Sequence, residues 1–215
     1  MNTKYKDFKF SKLFTDFSIA VVLILEIIIF SQISPYFLTT DNILNISLQA
    51  SVTAIIAAGM TFVILTAGID LSVGSVVAFT GVITTSLLGL NIPASYSLTL
   101  GVLAGLLFGS ISGYLAGIFI TRFKITPFIV TLALMTIWRG AAFVYTEGRP
   151  IWELPEAFSF LGTGRILGIP FPTIIMIFVF VASHIVLTKT RFGRYVYAVG
   201  GNKEAARLAG IKTNF

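Results

Sequence analysis

The chain has 215 residues, 56% hydrophobic and only 11% charged, with a mean hydropathy of +0.93; soluble domains carry about 25% charged residues, so a polytopic membrane protein is expected. The net charge of +6 records orientation in a bilayer in such a chain, and nucleic acid is not an expected partner whereas membrane lipid is. With no cysteine and a single histidine, His184, disulfides, thiolate chemistry and a poly-histidine metal site are excluded.

Residues 1–16 set Lys4, Lys6, Lys9 and Lys12 against Asp7 and Asp16. The apolar run from about 17 to 33 has the layout of a signal peptide, but Glu26 interrupts it and no A-x-A site follows, so it reads as a first span. A bilayer needs roughly 20 apolar residues per helix, which places further spans near 43–67, 73–90, 97–120, 125–145 and 171–188. From an inside start, the inner ends and loops collect twelve Lys and Arg: four at the N-terminus, then Arg122, Lys124, Lys189, Arg191, Arg194, Lys203, Arg207 and Lys212. The outer loops receive two, Arg149 and Arg165, while Arg139 falls inside a span. This asymmetry predicts an all-α transmembrane bundle of about six spans with the N-terminus cytoplasmic. Residues 1–16 are then an inner segment, 17–188 the membrane domain with an outer loop near 146–170, and 189–215 a cytoplasmic loop.

Between Gly59 and Gly81 an apolar run is interrupted by Gly68-Ile69-Asp70-Leu71-Ser72-Val73-Gly74-Ser75. A carboxylate at membrane depth costs roughly 2.5 to 3.5 kcal/mol on insertion scales, so Asp70 faces protein or water. Gly68 is expected to end one helix in a left-handed cap, with Asp70 or Ser72 accepting from the first N–H groups of the next. Asp70 reads equally as such a cap and as a polar group in a transport path. Both readings put a helix break here, flanked by Gly68 and Gly74.

Gly101, Gly105, Gly109, Gly113 and Gly117 recur every fourth residue in the fourth span. At 3.6 residues per turn the row drifts by roughly 40° per step, which suits a neighbouring helix crossing at an angle, backbone to backbone. The outer loop carries Pro150, Pro155, Trp152, Phe158 and Phe160 with mixed charge from Glu147, Arg149, Glu153, Glu156 and Arg165. It suits either a partner's surface or the lipid interface.

After Thr188, Gly200-Gly201 is read as a chain break, Asn202 as an N-cap, Glu204 as a first-turn acid and Gly210 as a stop. Ala205, Leu208 and Ala209 then share one small apolar face of a two-turn helix. So short a helix is marginal alone and must lie against lipid headgroups or another protein.

Other polar groups at membrane depth are Glu26, Arg139 and His184, together with Asn45, Gln49, Ser51, Thr53, Thr61 and Thr66. Asn45, Gln49 and Arg139 join Asp70 and Ser72 as candidates for a substrate path; bonding across helices is the alternative use of such side chains. Glu26, Asp70 and His184 also permit a proton-coupled secondary transporter. No G-x-x-x-x-G-K-[ST], G-x-S-x-G or H-E-x-x-H occurs, so the chain is not expected to be an enzyme or to hydrolyse ATP itself.

The string ILTAGIDLSVGS (residues 64–75) resembles the signature of permease subunits of ribose/xylose-type bacterial ABC sugar importers, with ribose permeases closest. TRFGRYVYAVGGNKEAARLAGI (190–211) resembles the loop by which those permeases engage their ATPase, and TPFIVTLALMTIWRGAAFVYT (126–146) their middle span. YTEGRPI and LGTGRILGIP add to the likeness with ribose permeases. The resemblance implies monosaccharide import across the bacterial inner membrane, ribose first, with xylose, galactose or autoinducer-2 as alternatives. It implies an ABC ATP-binding subunit that uses the ATP, a periplasmic or extracellular sugar-binding protein, a second permease copy, no cofactor of the chain's own and further spans beyond Phe215. It places the Asp70 break near the membrane midplane, and ATPase coupling on Gly201, Asn202, Glu204, Ala205, Ala206, Leu208, Ala209 and Gly210.

Overall fold

The structure, a computed structural model, describes residues 17–90, 92–151 and 155–213. The Lys-rich residues 1–16 and the loop residues Trp152 and Glu153 lie outside the described residues. The chain divides into two units, 1–47 and 48–215.

The first unit holds α1 (Ser18–Ile33) and the start of α2 (Thr40–Leu65). Pro35 ends α1: the residue before a proline is driven out of the helical region, and Ser34 is extended at φ −129°, ψ 122°. Its Leu and Ile side chains are exposed all around the helix, the pattern of a helix that meets lipid or membrane neighbours. Phe30 and Phe37 pack with ring centroids 5.6 Å apart. The start of α2 is capped by Thr39, whose Oγ1 accepts from the Asn42 N–H at 3.4 Å, while Asn42 Nδ2 donates to Phe37 O at 2.7 Å.

The second unit contains the rest of α2, then α3 (Val73–Leu88), α4 (Ala94–Thr121), α5 (Pro127–Thr146), α6 (Glu156–Thr163), a two-stranded antiparallel ribbon of β1 (Arg165–Ile166) and β2 (Ile169–Pro170), α7 (Phe171–Lys189), α8 (Arg191–Gly201) and α9 (Lys203–Leu208). Helices α2, α4, α5 and α7 are long and apolar enough to cross a bilayer, whereas α1 and α3 have 16 residues each. At 1.5 Å per residue, 16 residues reach about 24 Å, short of the roughly 30 Å hydrocarbon core. The six expected spans therefore appear as four full-length helices and two short ones. The all-helical membrane class is as expected, and the segment between α5 and α7 adds α6 and the small ribbon.

The core is the α3–α4–α5 trio. Phe79, Phe108 and Trp138, one from each helix, meet as a three-way aromatic cluster with centroids 4.7 to 5.8 Å apart. Each such pair is worth about 0.5–1.5 kcal/mol beyond burial. Trp138 Nε1 donates to Ser112 Oγ at 2.8 Å, satisfying both polar groups where no water competes. Ala116, Val130 and Leu134 continue the packing towards the start of α5.

Only the first part of the glycine row makes the close approach expected of it. A methyl on Gly101 would lie 3.0 Å from Thr84 Cγ2, and one on Gly105 would lie 2.8 Å from Thr80 Cγ2, so both positions hold α3 against α4. Thr84 Oγ1 also donates to Gly101 O at 3.1 Å. A methyl on Gly109, Gly113 or Gly117 would meet nothing within 4 Å. The drift of a four-residue step explains this, because the row has turned away from α3 by the third glycine.

Candidate functional site, the α2–α3 break and the inner loop

The end of α2 forms a complete Schellman turn. The Gly68 N–H bonds back to Val63 O and the Ala67 N–H to Ile64 O, both at 2.9 Å. The left-handed residue is Ala67, at φ 58°, and not Gly68 as the sequence suggests. An L-residue in that region costs roughly 1 kcal/mol. Gly68 is needed for space: a methyl there would lie 3.1 Å from Val63 Cγ1 and 3.2 Å from Val63 O.

Half-buried Asp70 accepts from the Ser72 N–H at 2.8 Å and from the Ser72 hydroxyl at 2.6 Å, both at Oδ1. Ser72, 3% exposed, is the N-cap residue of α3, yet its side chain does not cap the helix. It spends its proton on Asp70 and leaves its carbonyl to accept from Val76 N–H at 2.9 Å and from Ser75 Oγ at 2.7 Å. Asp70 thus fastens the turn three residues before α3 instead of capping the helix from inside it. Gly74, expected at the break, sits in the first turn of α3.

Thr131, 2% exposed, reaches across from α5, its hydroxyl proton shared between Ile69 O at 3.2 Å and Pro127 O of its own helix at 2.9 Å. Thr131 is the fifth residue of α5, so the break lies about 6 Å from that helix's start. The break thus lies towards the end of the bundle where Arg122 and Lys124 precede α5, the end that charge counting assigns to the cytoplasm.

Gln49 and Arg139 are exposed on α2 and α5, and Asn45 is exposed on α2 in the first unit. Glu26 on α1 and His184 on α7 are likewise exposed.

The segment after α7, expected to be cytoplasmic, folds into two helices where the sequence suggests one. Thr190 Oγ1 caps α8 by accepting from the Gly193 N–H at 3.2 Å, and Gly193 permits the tight corner because a methyl there would strike the Leu187 backbone. Gly200-Gly201, read as a chain break, is the last turn of α8. A methyl on Gly200 would collide with the Leu65 carbonyl oxygen at the end of α2, and the Phe192 and Phe62 rings meet at 6.3 Å. Gly193, Val196 and Gly200 thus form the inward stripe of α8, at spacings of three and four residues, a signal the sequence carries but which the paired glycines mask.

Asn202 turns the chain and caps α9, its Oδ1 accepting from the Ala205 N–H at 2.9 Å. Gly210, at φ 83°, closes α9 with a second Schellman turn: Gly210 N–H to Arg207 O and Ile211 N–H to Ala206 O, each 3.0 Å. Within α9, Arg207 Nε donates to both carboxylate oxygens of Glu204, at 3.2 and 3.1 Å. That bond holds the Glu204 carboxyl below its ordinary range and raises the Arg207 guanidinium. Ala206 is buried, while Ala205, Leu208 and Ala209 stay exposed, Leu208 at 77%. The expected apolar face of α9 is therefore present and uncovered, bordered by an ion pair.

Residues 42–215 match the family described as branched-chain amino acid transport system / permease component. Among curated proteins, the chain is 44% identical to the ribose import permease protein of Haemophilus influenzae over 218 residues, covering 100% of this chain and 66% of the relative. Identity to the ribose import permease protein of Bacillus subtilis is 43%, over 88% of this chain and 58% of the relative. An L-arabinose ABC transporter permease protein of Azospirillum brasilense is 40% identical over 88% of this chain and 56% of the relative. The chain thus spans between 56% and 66% of the length of these relatives. No solved structure matches it.

Proposed function

Because the chain belongs to the branched-chain amino acid transport system permease component family, and is therefore a membrane protein, we propose that it is a permease part of an ABC importer that admits ribose through the bacterial inner membrane. The observation that carries this reading is 44% identity to a ribose import permease along 100% of the chain. Identity to the permeases named for L-arabinose and D-allose is 40% and 35%, so ribose stands ahead of these two sugars.

In this reading the chain supplies the passage and the docking surface, and an ATP-binding subunit supplies the energy. The α3–α4–α5 core is the rigid part. The α2–α3 break, held by Asp70, Ser72 and Thr131, is the part that shapes the inner end of the path. The exposed face of α9, with Leu208 at its centre, is where the ATP-binding subunit docks. A sugar-binding protein delivers substrate from the opposite side, where α6 and the β1–β2 ribbon lie, and a second permease copy completes the translocation unit.

The test is uptake into proteoliposomes that hold the full-length permease with its ATP-binding subunit, given labelled sugar on the binding protein and ATP on the side of α9. Ribose is expected to accumulate at least tenfold over vesicles without ATP, and L-arabinose and D-allose less. Accumulation that ignores ATP but collapses with a protonophore would instead make the chain a proton-coupled carrier.

A further inference from the structure

We propose that Gly200 and Phe192 of α8 are positioning residues that join the inner loop to the α2–α3 break, so that α8 and the end of α2 move as one body. The proposal rests on the permease reading and adds the route by which a displacement of the inner loop reaches the path.

Three fastenings define the short connection from Leu65 to Ser72. Its start lies on α8, where the Gly200 backbone sits against the Leu65 carbonyl and leaves no room for a methyl. Its middle is tied to α5 by the Thr131 hydroxyl on Ile69 O at 3.2 Å, and its end is tied to α3 through Asp70 and Ser72. Among the described hydrogen bonds, none ends on the Leu65 carbonyl, although the two preceding carbonyls are both used by the Schellman turn. Gly200 therefore covers that carbonyl, with its α-carbon in the place of a donor, a weak contact that works only through close approach. One turn earlier on α2, Phe62 meets Phe192 at the other end of α8 with centroids 6.3 Å apart. Two points of contact, eight residues apart on α8, fix its direction as well as its position. Packed groups of this kind shift between discrete arrangements and do not deform smoothly, so a push on α9 and α8 arrives at Leu65 undiminished.

The experiment uses the full-length permease with its ATP-binding subunit in proteoliposomes. Gly200→Ala is expected to retain the ATP-binding subunit and its ATP hydrolysis but to lower sugar uptake per ATP at least tenfold. Gly59→Ala, on the same α2 where a methyl meets nothing within 4 Å, is expected to stay within twofold of the unmodified protein. Residues 1–215 contain no cysteine, so Phe62→Cys with Phe192→Cys, in a permease with any cysteine outside these residues replaced by serine, gives a clean pair for a short bifunctional thiol reagent. Left unjoined, that pair lacks the ring contact and is expected to lose uptake per ATP, and joining it is expected to bring uptake back to within twofold of the unmodified protein. Uptake arrested by the cross-link means that α8 moves against α2, and it overturns the proposal, as does normal coupling in Gly200→Ala. If Gly200→Ala fails to assemble, the cross-linked pair decides alone. Failure of the unmodified chain to bind an ATP-binding subunit at all strikes the permease reading instead, so the two failures are distinguishable.

Discussion

Glu204→Lys is expected to reduce retention of the ATP-binding subunit at least a hundredfold, and Leu208→Asp to do the same. Helix α9 has six residues, far too few to be stable in water by itself, so it persists because both ends are closed. Asn202 closes one end and the Gly210 turn the other. The Glu204–Arg207 bond then orients a carboxylate beside the uncovered Ala205, Leu208 and Ala209. Lysine at 204 puts like charge against Arg207 and reverses the sign presented to a partner. A hundredfold loss corresponds to about 2.7 kcal/mol, within the range of a central interface residue. The pair also gives a pH direction. Glu204 has its pKa lowered by Arg207, so the pair's contribution is complete above the ordinary value of 4.5 and fades as pH falls below it. At neutral pH the carboxylate is fully charged. Co-purification of either variant with the ATP-binding subunit at the level of the unmodified protein would remove α9 from the interface.

Asp70→Ala is expected to lower uptake at least tenfold and to destabilise the protein by about 1–2 kcal/mol, while Asp70→Asn stays near the unmodified protein in both. The reason is that both described bonds of Asp70 fall on Oδ1, from the Ser72 N–H and hydroxyl, and an asparagine offers an oxygen in the same place. Alanine leaves Ser72, 3% exposed, with an N–H and a hydroxyl to satisfy where little water reaches. Thermal unfolding in detergent and uptake in proteoliposomes, measured on both variants, separate the two uses of the carboxylate. Loss of uptake in Asp70→Asn with stability unchanged would show that the charge itself acts on the path.

Much of this architecture is legible in the residues, and the misses have physical causes. Hydropathy and charge asymmetry suffice for the helices, because a bilayer imposes length and polarity on each span separately. The caps at Asn202 and Gly210 follow from local chemistry alone. The contact that holds the break against α5 does not, since Thr131 meets Ile69 from 62 residues away. Gly68 misleads because glycine has two uses: here it supplies space at Val63, while the left-handed angle falls on Ala67. Gly200-Gly201 misleads for the same reason, since the need is room for the Leu65 carbonyl and the helix runs through. The glycine row of α4 is readable as packing, but only a partner's path decides that Gly101 and Gly105 take part and Gly113 does not.

The reading turns on α8 and α9 facing the compartment that holds ATP. Residues 1–215 contain no cysteine, so Lys212→Cys, with any cysteine outside these residues replaced by serine, introduces a single thiol shortly after α9 for a membrane-impermeant maleimide. Labelling confined to inverted membrane vesicles, with intact cells left unlabelled at the same expression level, is the predicted result. Labelling of Lys212→Cys in intact cells would put the loop outside, where no ATP-binding subunit reaches it, and would contradict the account.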